Sequence, residues 1–259
     1  PDNGTEGWDW CSGYNYADST IAGFSHLHLS GTGIGDLYDI LFMPVTGSVE
    51  FPGEFQRREA FPWSPTGVKN EPMPYWSKFS HDNEKASPAY YSVKLDDYNI
   101  KAELTVTPRV GLQRYTYPKN DSAAIVLDLG HSLNWDFPVQ TSVTIVNDSL
   151  ITGYRYSEGW AEDQRVYFAT QFSKPFKKAV TFINGKPKME SKKATSNKVK
   201  AVFYYDTEEN EQILVKTGIS SASVDGAIKN IETELPHWNF DVVKQQGEKK
   251  WQDELAKIH

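Results

Sequence analysis

The sequence contains one cysteine, Cys11, among its 259 residues. A single cysteine excludes an internal disulfide and leaves open whether the protein works in an oxidising or a reducing compartment. No stretch approaches the roughly 18 consecutive apolar residues that a membrane-spanning helix needs. The net charge is −7 and no basic surface emerges along the chain. We therefore expect no nucleic-acid partner and no membrane span.

Common catalytic motifs are also missing. The chain has no Walker loop, nucleophile elbow, zinc-finger spacing or dinucleotide fingerprint. Cys11 lacks the neighbours that activate a nucleophile. A glycosidase needs two carboxylates across the scissile bond, but no motif singles out any of the candidates. These candidates are Asp9, Asp18, Asp36, Asp39, Glu84, Glu103, Asp136 and Glu158. We predict no catalytic residue in this chain.

The chain is rich in aromatic residues, with 8 Trp, 14 Tyr and 13 Phe. Aromatic side chains favour β-sheets, and some of them can also be exposed for stacking on sugars. From about residue 89 onward, short runs of alternating apolar and polar residues predict strands. They lie near residues 91–95, 102–106, 113–117, 123–129, 141–146, 150–155, 165–172, 179–183, 200–205 and 212–217. This pattern predicts a mostly β protein, an antiparallel β-sandwich.

The ends of the chain differ from this pattern. Residues 1–75 are rich in Gly and Pro and are predicted to be irregular. After residue 220 the apolar spacing becomes helical, which predicts one helix capped by Ser221 or Ser223 and another capped by Asn239 that runs to the last residue. We therefore divide the chain into a sandwich domain at residues 1–220 and a helical linker at residues 221–259. The chain begins at Pro1 without a Met or a signal sequence, so we expect the natural N-terminus to lie upstream.

Residues 23–33 are the most informative stretch, with the sequence GFSHLHLSGTG. On an extended strand, His26 and His28 point to the same side. The two glycines that follow allow a tight turn. With His81 and Glu84 the pair could hold a metal, but a lone His-x-His is weak evidence and we assign no metal ligand. Imidazoles next to the aromatic residues upstream favour a surface that binds sugars.

The same residues resemble a known family. The string WDWCSGY at residues 8–14, followed by GFSHLHLSGTG, resembles glycoside hydrolase family 92, the calcium-dependent exo-acting α-mannosidases. The similarity continues through residues 79–91, 100–109, 114–118, 172–176 and 216–220, and it extends to Trp251, Leu255 and Ile258 in the final helix.

The resemblance implies a galactose-mutarotase-like sandwich followed by linker helices and a C-terminal (α/α)6 barrel, which would begin after His259. In this family the barrel carries the general acid, the general base and most of the calcium site, so the calcium ligands are expected mainly outside this chain. The enzymes cleave terminal mannose with inversion. By this resemblance the protein is a secreted or periplasmic α-mannosidase with an α-1,2 preference that acts on mannose-containing glycans, including N-glycans.

The resemblance also suggests what the sandwich contributes at the domain interface. Trp10, Cys11, His26 and His28 are expected to form one wall of the mannose pocket. Trp10 would stack on the sugar ring, while the histidines would hold hydroxyls or brace the glycine turn. Two alternatives stay open. The chain could be a free-standing carbohydrate-binding module that uses exposed Trp10 and Trp63, or a mutarotase-like epimerase with His26 as acid or base.

Overall fold

The computed structural model describes residues 16, 18–28, 37–51, 73–132, 136–189 and 191–257. Antiparallel β-sheets dominate this part of the chain. The larger sheet has nine strands, in the spatial order β16 (Lys193–Ser196), β11 (Phe137–Ile145), β12 (Leu150–Glu158), β13 (Gln164–Phe172), β18 (Glu211–Ser220), β9 (Val110–Tyr117), β8 (Ile100–Val106), β7 (Tyr90–Leu95) and β6 (Glu84–Ser87).

A second sheet of five strands packs on the larger one. Its spatial order is β15 (Lys186–Lys188), β14 (Lys178–Ile183), β17 (Val199–Thr207), β10 (Asn120–Asp128) and β4 (Leu41–Thr46). Two short ribbons complete the described strands: β1 (Thr20–Ile21) with β5 (Ser77–Lys78), and β2 (Leu27–His28) with β3 (Leu37–Asp39). A single 3-10 turn at His81–Asn83 precedes β6.

The main core lies between the two sheets. One contiguous cluster joins Tyr115 of the larger sheet to Ile125 and Phe203 of the smaller sheet, and all three side chains are fully buried. Because side chains alternate along a strand, each sheet contributes every second residue to this layer. The strand alternation predicted from residue 89 onward and the sandwich class are confirmed.

The outer face of the nine-stranded sheet is covered in part by two helices, α1 (Val224–Glu234) and α2 (Phe240–Leu255). Val110, Leu112 and Ala169 of the sheet form a second core with Ile231 and Phe240 of the helices. None of the helices in the described part of the chain is long and apolar enough to span a membrane.

The helix caps agree with the sequence analysis. Ser223 accepts a hydrogen bond from the Gly226 backbone N–H at 3.0 Å, which selects it over Ser221 as the cap of α1. Asn239 caps α2 by accepting from the Val242 backbone N–H at 3.1 Å. The prediction that the second helix continues to the last residue was wrong, because α2 ends at Leu255. The backbone N–H of Ala256 is shared between two carbonyls in a tight final turn.

The prediction that residues 1–75 are irregular was also wrong in part. Strand β4 lies in this region and is buried along almost all of its length. It was hidden by Pro44, which weakens any strand signal, and by an unbroken apolar run in place of alternation. In the structure β4 pairs with β10 at one side of the five-stranded sheet, and an edge strand is a place where a proline is tolerated.

Candidate functional site

Of the four predicted pocket residues, the structure describes His26 and His28. Trp10 and Cys11 lie outside the described residues, as does Trp63 of the alternative interpretation. The two histidines flank Leu27 at the start of the β2–β3 ribbon, and the ribbon leads into the core strand β4 through Ile40. This ribbon and the side chains that hold it form the candidate site.

His26 is held on the inner side of the sandwich. Its Nδ1 atom lies 2.8 Å from the carbonyl oxygen of Ile40, and a carbonyl only accepts, so Nδ1 carries the proton and donates. The ring edge packs on Phe42, with 5.7 Å between centroids. Its other nitrogen, Nε2, is buried and has no hydrogen-bond partner among the described residues. Burial lowers the pKa of His26 to about 4, although the bond to Ile40 acts in the opposite direction.

The His26 ring also rests against the backbone of strand β9. A Cβ atom added at Gly111 would lie 2.7 Å from Cδ2 and 2.8 Å from Nε2 of the imidazole. We expect Gly111→Ala to displace the ring and to destabilise the fold by roughly 1–3 kcal/mol, the usual cost of overpacking. Urea denaturation of the variant measures this. Gly47→Ala is the comparison variant. Its Cβ meets nothing within 4 Å but sits at a φ of 90°, so this variant measures backbone strain without a clash, whereas Gly111→Ala measures the clash. Unchanged stability of Gly111→Ala would contradict the observed packing.

His28 has different surroundings from His26. Its side chain is exposed, and its ring lies 6.2 Å from that of Tyr38 on the paired strand β3. Tyr38 in turn makes an edge contact with His131, at 6.0 Å between centroids. His26 is therefore fixed below the ribbon by its contacts, while His28 lies at the surface against the buried ring of Tyr38.

The ribbon has an unusual backbone. Leu37, Tyr38 and Ile40 have φ values of 77°, 53° and 56°. Residues with a side chain avoid this left-handed region, most of all β-branched ones such as Ile, and each such residue costs on the order of 1–3 kcal/mol. A cluster of three within four residues requires strong compensating contacts. Such strain is concentrated at functional segments of proteins.

A buried ion cluster lies below the ribbon and binds Asp39 within the strained segment. Arg155 of β12 is fully buried and donates from Nη1 to Oδ1 of Asp39 at 2.5 Å. Its other terminal nitrogen donates to Oδ2 of Asp136, and Gln164 donates to the second oxygen of Asp39 at 2.6 Å. Burial opposes the charge on Arg155, but the two carboxylates outweigh it and raise the pKa of the guanidinium above its ordinary value.

Arg155 also binds the backbone beside the cluster. Its Nε donates to the carbonyl of Leu129 at 3.2 Å, and Nη2 donates to the carbonyl of His131 at 3.0 Å. All three nitrogens of the guanidinium thus have partners, and these partners come from three separate segments of the chain. The planar, five-donor geometry of arginine suits this task, and the single ammonium of lysine does not.

His81 does not join the histidine pair in a metal site. Its Nδ1 lies 2.6 Å from Glu84 and its Nε2 lies 2.7 Å from the carbonyl of Tyr16, so both ring nitrogens donate. The hydrogen bond to Glu84 is the main reason why the pKa of His81 is raised. Within the described residues no group of three His, Cys, Asp or Glu side chains is placed to bind a metal ion. With Asp39 and Asp136 both bound to Arg155, the described residues do not fit a calcium site.

Comparison with known proteins assigns the fold to a family. The model of the glycosyl hydrolase family 92 N-terminal domain matches residues 1–220. The chain belongs to this family. A family GH92 α-mannosidase from Bacteroides thetaiotaomicron, solved in complex with mannoimidazole, is 38% identical over 99% of the chain, with a TM-score of 0.85.

More distant GH92 structures share the fold. An inverting mannosidase of the same organism is 21% identical over the whole chain, with a TM-score of 0.76. A protein of Arthroderma benhamiae described as an uncharacterized secreted glycosidase is 25% identical over 95% of the chain. The GH92 chain spans about a third of the length of each of these relatives.

Sequence reasoning missed the residue that organises this part of the GH92 domain. The sequence places Arg155 in a predicted strand without any role. It offers Asp136 only as one of many carboxylates, and Asp39 as a carboxylate that caps or charge-balances a short turn after the glycines. A signal was nevertheless present, because Arg155 lies at every-second-residue spacing with Gly153 and Ser157, and all three are on the inward face of β12. A charged residue at an inward position of a core strand requires buried partners of opposite charge.

Proposed function

We propose that this chain is the N-terminal domain of an exo-acting, inverting α-mannosidase that removes terminal mannose from glycans, including N-glycans, with an α-1,2 preference. The observation that carries the proposal is the 38% identity, over nearly the whole chain, to a GH92 α-mannosidase solved with mannoimidazole. The inverting mechanism is supported by the more distant relative that is named an inverting mannosidase. The secreted relative favours a secreted or periplasmic location.

The chemistry belongs to the part of the enzyme beyond this chain. An inverting glycosidase needs a protonated carboxylic acid and a carboxylate base, roughly 6.5–9.5 Å apart. The candidate carboxylates at the ribbon, Asp39 and Asp136, are both bound in ion pairs with Arg155. Glu103 is bound by Arg114, Tyr90 and Lys101, and these partners overcome the effect of burial and lower its pKa to about 2. We therefore assign the acid, the base and most of the calcium ligands to a C-terminal (α/α)6 domain.

This chain supplies one wall of the sugar pocket. His28 is exposed next to Tyr38, so its ring can reach a hydroxyl of the sugar. His26 has its free nitrogen buried against Gly111 and braces the ribbon through Ile40. Trp10 would stack on the mannose ring and Cys11 would line the same wall. Together these side chains position the sugar while the other domain carries out proton transfer.

The environment of His26 argues against an epimerase. A general acid or base works best when its pKa lies near the working pH and when the substrate can reach it. The pKa of His26 is about 4, and its Nε2 atom is buried. At neutral pH this imidazole is uncharged and its unprotonated nitrogen is closed off by strand β9.

An assay of the isolated chain next to the full-length protein tests the proposal. We expect the full-length protein with calcium to hydrolyse α-1,2-mannobiose and to release the inverted anomer, seen by proton NMR within the first minutes. The isolated chain should show no turnover and only weak binding of mannose by calorimetry, because it holds part of a pocket. Robust turnover by the isolated chain would overturn the division between the two domains. Firm mannose binding without a second domain would favour the carbohydrate-binding module.

A further inference from the structure

We propose that Arg155 is a positioning residue of the mannose pocket, which fixes the two histidines through the strained ribbon above it. This inference rests on the proposed function and extends it to a residue that does not touch the sugar. It starts from the contacts of Asp39. This carboxylate accepts hydrogen bonds from two neighbouring strands, from Arg155 of β12 and from Gln164 of β13.

The backbone on both sides of Asp39 bears the histidine contacts. Ile40, the next residue, accepts the hydrogen bond of His26, and Tyr38, the preceding residue, supports the ring of His28. A shift of Asp39 therefore moves both supports at once. Without the hydrogen bonds from Arg155 and Gln164, the left-handed φ values of the neighbours of Asp39 would be held less firmly.

Arg155 couples the ribbon to a second segment. It binds the carbonyl of His131 and the carboxylate of Asp136, and the ring of His131 packs on Tyr38. Tyr38 is therefore positioned by its neighbour in sequence, Asp39, and by the ring of His131. Arg155 binds both the Asp39 carboxylate and the His131 carbonyl. A buried ion cluster is weak evidence of stability by itself, since apolar replacements are often neutral. Its function here is to specify one geometry of the ribbon.

The test removes the cluster without leaving a buried charge. The triple variant Arg155→Met, Asp39→Asn, Asp136→Asn has no charge in the cluster, so it avoids the penalty of an unpaired buried charge and should lose less stability than Arg155→Ala. The matched control is Arg114→Met, Glu103→Gln, which removes another arginine–carboxylate pair of low exposure that does not contact the ribbon. Both variants are made in the isolated chain and in the full-length protein.

Two measurements report on the position of the histidines. In the isolated chain, NMR titration of the His26 ring should give a pKa of about 4 in the wild type and in the control. In the triple variant it should move upward toward the ordinary value. In the full-length protein, kcat/KM on α-1,2-mannobiose should fall about 10- to 100-fold in the triple variant, as expected for a misplaced substrate-binding group, and should stay unchanged in the control.

A folded triple variant with an unchanged His26 titration and unchanged kcat/KM would overturn the inference. If the triple variant does not fold, Gln164→Met removes one of the two donors to Asp39 and should shift both readouts in the same direction; no shift in either one overturns it equally. Failure of the proposed function looks different. In that case the wild-type full-length protein does not cleave mannosides, while the His26 titration still tests whether Arg155 positions the ribbon.

Discussion

Arg155→Ala should destabilise the domain by about 3–5 kcal/mol, the usual cost of breaking a buried ion pair by removing one partner. The substitution removes the buried guanidinium that pairs with Asp39 and Asp136, and it also removes the donor to the carbonyls of Leu129 and His131. Each uncompensated group adds a desolvation penalty. The segment that contains the three residues at positive φ would lose the hydrogen bond from Arg155 to Asp39.

Chemical denaturation of the isolated chain measures this effect directly. Arg165→Ala is the matched control, because Arg165 lies on the adjacent strand β13, is exposed and pairs with exposed Asp163. Surface pairs of this kind contribute about 0–1 kcal/mol, so the control should unfold close to the wild type. Equal effects of the two substitutions would mean that the buried cluster adds nothing beyond a surface ion pair.

The sheets could be predicted from the sequence because their signal is local. Alternation of apolar and polar residues decides which face of a strand is buried, and this pattern is read directly from neighbouring residues. The dipeptide Asn184-Gly185 is another local signal, because Asn-Gly between two strands is typical of a β-hairpin turn. Both residues adopt positive φ, 51° and 74°, as a two-residue turn between β14 and β15 requires.

The candidate site could be predicted only in part, because its contacts are distant in sequence. Arg155 meets Asp39 across 116 residues and Asp136 across 19. No local pattern encodes such pairs. The backbone strain at residues 37–40 is equally hidden, since Leu and Ile give no sign of a left-handed conformation. The prediction of a sugar-binding surface at His26 and His28 relied on residue type and on the family resemblance, and neither distinguishes a buried imidazole from an exposed one.

The two histidines illustrate why a motif and its role are separate questions. Spacing alone treats His26 and His28 as equivalent, with both rings on one side of a strand. The structure pairs the first with a backbone carbonyl below the ribbon and leaves the second exposed. The second lies at the surface, and the first packs between the ribbon and strand β9. Functional importance is therefore expected at both positions, for different physical reasons.

Acidification should destabilise the domain between pH 6.5 and 4 through His26. The folded-state pKa of about 4 is below the ordinary 6.5, so in this range the unfolded chain binds a proton that the folded chain does not. The contribution of His26 to stability is therefore fully present above pH 6.5 and is lost as the pH falls through this range. A shift of this size corresponds to about 3 kcal/mol. Part of the residue reaches the surface, but Nε2, which would take the proton, is buried against Gly111.

The pH window separates His26 from other titrating groups. The raised pKa of His81 affects stability above pH 6.5 and in the opposite direction, since its contribution is lost as the pH rises. Glu103, with a pKa of about 2, loses its contribution only below pH 4.5. His26→Asn keeps a donor for the carbonyl of Ile40 and has no titrating ring. The free energy of unfolding, measured from pH 4.5 to 7, should slope in the wild type and be nearly flat in His26→Asn. Parallel curves would show that His26 is protonated in the folded state as readily as in the unfolded chain.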